Sequence, residues 1–144
     1  MSDELWKVDF AVGKSLRYHM KRRSHWDAID HWNQVFVLIF GASVVISLLS
    51  EWKTVELAVA VLVAISSALD IVFKFADRAR THDSLYRAYS ALAQEIAGTI
   101  SPSPEQIAKW RARRIEIEGD EPTVDVKLEQ KSRKEEAIAR GVEP

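Results

Sequence analysis

Two stretches without a charged residue, Val35–Ser50 (VFVLIFGASVVISLLS) and Leu57–Leu69 (LAVAVLVAISSAL), are separated only by the EWKTVE segment. They constrain the fold more than any other feature. Both are apolar on all sides, whereas a helix in a small soluble bundle keeps a polar face at the helical period. A chain of 144 residues also carries too little other material to cover two such helices. Each run alone is shorter than the ~20 residues that cross a bilayer; on that count the soluble alternative is two core helices of a helical bundle. The flanking tryptophans favour the membrane. Trp32 and Trp52 are separated by ~30 Å of helix, the thickness of the hydrocarbon layer. Tryptophan prefers the two interfaces, where its ring is apolar and its N–H stays wet. The spans are therefore expected at about residues 32–52 and 54–74.

Charge gives the orientation. KSLRYHMKRR, ahead of the first span, holds Lys14, Arg17, Lys21, Arg22 and Arg23 and no acid. Lys74, Arg78, Arg80 and Arg87 follow the second span, and the connection has one lysine. Lys and Arg gather on the cytoplasmic side, so both termini are expected in the cytoplasm of a bacterial inner (plasma) membrane, with the short loop outside. The first apolar run starts some 35 residues in, behind a charged helical segment, so it is expected to be an uncleaved anchor and not a signal peptide. Arg22, Arg23, Trp32, Trp52 and Lys74 are the expected membrane-interface residues.

The fold class expected is all-α: a two-helix transmembrane hairpin with long helical cytoplasmic extensions and a short C-terminal helical segment. The domain division expected is 1–100 and 101–144. From Asp3 to His31 an apolar seam runs through Leu5, Val8, Val12, Leu16 and His19 and leads into the first span. The second helix is expected to run from Thr54 to Ala97, with Leu85, Tyr89, Leu92 and Ile96 on one seam, and to stop at Gly98. Ser103-Pro104-Glu105-Gln106 is a helix start, with Ile107 and Trp110 turned inward. The last segment, VDVKLEQKSRKEEAIARGV, mixes charge signs and reads either as a solvated helix or as a partner-binding tail.

Enzyme chemistry has little support. There is no cysteine, hence no disulfide, thiolate zinc site or thiol nucleophile. No G-x-S-x-G, P-loop or dinucleotide fingerprint is present. His19, His25 and His31 fall on different helix faces, Asp27 and His31 read as a surface pair, and His82 and Asp83 are neighbours that do not face each other. No metal or cofactor is expected. With 20 Lys+Arg against 21 Asp+Glu, the balanced charge gives no case for direct nucleic-acid binding.

The spans themselves carry the informative polar groups. Glu56, Ser66 and Asp70 fall on one arc of the second helix, with Lys74 and Asp77 continuing it, and Ser43 and Ser47 share a side of the first. Glu56, Ser66, Asp70, Ser43 and Ser47 are the candidate pore-lining residues. Ala60, Ala64 and Ala68 form a small-residue ladder suited to close helix packing in lipid. An acid within a span is costly, ~2.5–3.5 kcal/mol at the bilayer centre. For Asp70 three placements stay open: beside the headgroups paired with Lys74, facing a lumen built by several hairpins, or bonded to another helix.

The basic LRYHMKRRSHWDAIDHW helix, the short external loop and the FKFADRARTHDSLYRAYSALAQEI extension together resemble the SLATT family of two-transmembrane effector modules of bacterial defence loci. The resemblance covers about Leu16 to Ile96 and leaves residues 101–144 outside it. It implies a membrane effector that homo-oligomerises on a cue from a cytoplasmic sensor or nucleotide-signal partner and permeabilises the inner membrane. It supplies no catalytic motif. The alternatives are a non-conducting membrane anchor or scaffold for a cytoplasmic partner, and the soluble bundle.

Overall fold

A computed structural model describes residues 2–47 and 53–142, except for the side chains at 43–47, 53 and 56. The described residues form five helices and no strand: α1 Asp3–Ser47, α2 Lys53–Phe73, α3 Phe75–Ala97, α4 Pro104–Gly119 and α5 Val126–Ala139. They divide into two compact units, one of Met1–Arg23 with Thr81–Pro144, the other of Ser24–Arg80. α1 is one helix through 45 residues, as the absence of proline allows.

In the first unit three seams meet in one core. Val8 and Val12 come from α1, Leu85, Tyr89, Leu92 and Ile96 from α3, and Ile107, Trp110 and Ile117 from α4. Their three- and four-residue steps put each set on one helix face. α4 begins where the capping signal places it: Ser103 Oγ accepts the Gln106 N–H at 3.2 Å, and Pro104 occupies the first turn. Trp110 is 1% exposed, and its indole N–H donates to Glu95 Oε1 at 2.9 Å. Its polar edge is therefore satisfied while the ring fills the core.

α5 starts at an Asp125 cap that accepts the Lys127 and Leu128 N–H groups at 3.1 and 3.2 Å. It buries Ser132, Glu136 and Ala137. The segment that reads from its mixed charge as a solvated helix is instead docked in the unit. Five of its charges, Asp125, Glu129, Glu135, Glu136 and Arg140, are matched by partners far away in the sequence.

The second unit joins the later part of α1 to α2. Val59, Val63, Ser66 and Asp70 are the half-buried face of α2, and the Ser66 hydroxyl donates to the Asn33 side-chain oxygen of α1. Ala60 and Ser67 flank that face and are also half-buried, while Leu57, Leu62, Ile71 and Val72 are exposed, as are Leu38 and Ile39 on α1. Among the described residues one helical stretch, Leu57–Ala97, is long and apolar enough to cross a membrane, and none of its apolar window is buried within the chain. The other expected span, 32–52, ends among residues outside the description.

The second helix is not continuous as expected. It breaks at Lys74, whose φ of 49° lies in the left-handed region, a conformation costing a non-glycine residue roughly 1–2 kcal/mol. Arg78 Nε donates to the Phe73 carbonyl at 2.8 Å, occupying an acceptor at the end of α2.

Replacing Trp110 by alanine should destabilise the first unit by about 3–5 kcal/mol, and Ser103→Ala by ~1 kcal/mol. Denaturant titration followed by hydrogen exchange of the α4 amides reads both. An unchanged α4 in Trp110→Ala would contradict the core described.

Candidate functional site

The most unusual chemistry lies inside the first unit. His19 occupies the next step of the α1 seam after Leu16 and is fully buried; Tyr89 on α3 is also fully buried, and His82 is buried beside them. Glu121 reaches them from the α4–α5 connection. His19 Nδ1 lies 3.0 Å from His82 Nδ1, and His19 Nε2 lies 3.0 Å from Glu121 Oε1. The Tyr89 hydroxyl donates to the same Glu121 oxygen at 2.7 Å. The His19 ring stacks on Tyr89 with centroids 5.6 Å apart, and Tyr18 meets its edge at 5.1 Å.

An ionised carboxylate only accepts, so His19 carries its proton on Nε2. One hydrogen must lie between the two Nδ1 atoms. With both rings neutral, His82 donates and His19 accepts. Burial pushes the Glu121 carboxyl up, but the bonds from His19 and Tyr89, with the Lys14 charge, outweigh it and hold the carboxyl below its ordinary 4.5. Burial and the Glu121 carboxylate push the Tyr89 phenol up, so Tyr89 remains a donor.

The same connection delivers α5 onto α1. The Asp125 N–H donates to the Tyr18 hydroxyl at 3.0 Å, and Arg22 lies 3.6 Å from the Asp125 carboxylate. Lys14 pairs with Glu129 at 2.6 Å, Lys21 with Glu135, and Arg17 Nε donates to Glu136 at 2.6 Å. Arg140 closes the far end, bonded to Glu136 at 2.6 Å and to Asp9 at 2.5 Å. Burial raises the Glu136 carboxyl, and the Arg17 and Arg140 bonds more than reverse this. Gly13 makes the approach possible: a Cβ there would stand 2.6 Å from the Glu136 carboxyl carbon. Between Glu118, Glu121, Glu129, Lys14 and Tyr18 lies a cavity of about 140 Å³.

The structure gives positions for part of the residues singled out from sequence. Ser66 is bonded to Asn33 within its own hairpin, so it faces α1. Asp70 shares the half-buried face; its carbonyl accepts the Lys74 N–H at 2.7 Å, but no ion pair joins the two side chains. The left-handed backbone at Lys74 removes the one-turn geometry such a pair requires. Of the alanine ladder, Ala60 is half-buried, while Ala64 and Ala68 are exposed. The face with polar groups, and not the ladder, thus packs within the hairpin. Trp32 and Lys74 are exposed. Arg22 and Arg23 pair with Asp125 and Asp83, which ties them to the first unit. The side chains of Ser43, Ser47 and Glu56, and all of Trp52, lie outside the described residues.

No group of three or more metal-ligating side chains occurs among the described residues. No protein-family model matches the chain, and no curated protein or solved structure matches it.

The sequence marked His19 as a seam position but gave no sign of its partners, which are 63 and 102 residues away. Because Glu121 has a lower carboxyl pKa folded than unfolded, its stabilising effect is complete above 4.5. That effect is lost as pH falls through the lowered folded value. Glu121→Gln should flatten this acid limb of a stability-versus-pH curve, and Tyr89→Phe should cost about 1–2 kcal/mol at neutral pH. An acid limb identical in wild type and Glu121→Gln would exclude Glu121 as its source.

Proposed function

We propose that the chain is a membrane effector: a two-span hairpin that homo-oligomerises and makes a bacterial inner membrane permeable to ions, under control of the helical unit built around Trp110. The observation that carries this reading is α2, which exposes a broad apolar surface and has no residue of its apolar window buried within the chain. Lipid is the environment that removes such a surface from water. The SLATT resemblance supplies the effector role and the activating cue from a cytoplasmic partner.

Asp70 is an ionisable side chain within the second proposed span, half-buried and joined in no ion pair among the described residues. In lipid such a group is costly and usually faces a bundle interior or a wet cavity. A single hairpin encloses no water path, so an assembly of hairpins is required. Ser66, bonded to Asn33, serves packing within each hairpin in this arrangement.

A second reading, a non-conducting anchor holding a cytoplasmic partner, is favoured by one observation: the first unit has a complete core of its own. Ion flux separates the two. Vesicles reconstituted with the full chain should lose a potassium gradient, and Asp70→Asn should change the rate roughly threefold or more. Vesicles that stay sealed at every protein-to-lipid ratio would refute the conducting reading and leave the anchor.

A further inference from the structure

α5 is attached in a way that α1, α3 and α4 are not. The hydrophobic core comprises residues from those three helices alone. The residues that α5 buries are Ser132, Glu136 and Ala137, one of them apolar and small. Ser132 Oγ is buried without a hydrogen-bond partner, a cost that docking must overcome. What holds α5 is charge. Lys14, Arg17 and Lys21 fall at three- and four-residue steps on α1, with Arg22 beside them, and they meet Glu129, Glu136, Glu135 and Asp125. The pairs on Glu129, Glu135 and Asp125 are partly exposed, so each is weak and screened by salt, while the Glu136 carboxylate is buried against Arg17 and Arg140.

We infer that the Lys14–Arg17–Lys21 face of α1 is a docking surface for α5 of a second copy of this chain, and that the chain's own α5 is its intramolecular occupant. The argument is charge complementarity: exchange between copies recreates each ion pair with no new contact, the low-cost route of domain swapping. The connection from Asp120 to Asp125 is short and contains Pro122. Its fixed points are the Glu121 side chain, held by His19 and Tyr89, and the Asp125 N–H on Tyr18. Loss of the Glu121 bonds leaves the connection held at Tyr18 alone, and α5 then depends chiefly on its charges. A tethered α5 has the advantage of high effective concentration, so exchange needs copies held close together. For that closeness the inference rests on the oligomeric membrane reading above, to which it adds a means of assembly.

Charge-swap complementation tests it on the full chain in detergent micelles. One variant carries Lys14→Glu with Lys21→Glu, the other Glu129→Lys with Glu135→Lys. Within either chain alone α5 faces like charge, while reciprocal exchange between the two restores every opposite-charge pair. Hydrogen exchange should show α5 amides losing protection about tenfold in each variant alone. Mixing the two should restore that protection, and differently tagged copies should copurify in a salt-sensitive manner. Unchanged hydrogen-exchange protection of the α3 and α4 amides verifies that the core is retained.

If the mixture leaves α5 as unprotected as in each variant alone, the exchange is overturned. The same holds if each variant keeps full protection by itself. Copurification as strong within one variant as between the two, without regained protection, assigns association to the hairpin and also overturns it. Vesicle leakage plays no part in this measurement, so its outcome is separate from that of the conducting reading.

Discussion

The apolar surface of α2 and the later part of α1 is the constraint on which the rest depends. Within the second unit these helices bury only one narrow face against each other. That face carries the polar side chains Asn33, Ser66 and Asp70, while Leu38, Leu57, Ile71 and Val72 point away from it. Val59 and Val63 share that face, but most of the apolar surface lies outside it, unlike a water-soluble helix pair, where the apolar stripe would lie inside. In hydrocarbon the arrangement is reasonable, because a polar side chain needs a protein partner and an apolar one does not.

The first unit follows the opposite rule. Its α1, α3 and α4 seams enclose apolar side chains, and polar groups that enter among them find partners: Trp110 on Glu95, and His19 between His82 and Glu121. A fully bonded buried network fixes one arrangement of its backbone more sharply than apolar packing does. Here the backbone fixed is the connection to α5, so a helix held mainly by ion pairs hangs from a loop held by a half-buried carboxylate. Gly13 belongs to the same device, since it lets the Glu136 carboxylate reach α1.

Features governed by local rules were legible in the sequence. The seams Val8–Val12 and Leu85–Tyr89–Leu92–Ile96 follow the helical period, and Ser103-Pro104 shows its cap directly. Features governed by long-range pairing were not. Nothing near His19 names Glu121, and the charges of VDVKLEQKSRKEEAIARGV look solvated until Lys14, Arg17 and Lys21 are placed opposite them. The break at Lys74 escaped because lysine carries no signal for a left-handed backbone, unlike glycine or asparagine. The polar stripe was seen, but a helical wheel cannot say whether Ser66 faces a lumen or Asn33.

The most direct test of the membrane hairpin is its topology, which a cysteine-free chain makes simple to measure. Single cysteines replace Ser2, Thr54 and Gly141 in turn, and intact spheroplasts are treated with a membrane-impermeant maleimide. The account predicts labelling of Thr54→Cys from outside, with Ser2→Cys and Gly141→Cys labelled only after lysis. Equal protection of all three positions, with the protein recovered in the soluble fraction without detergent, would contradict it.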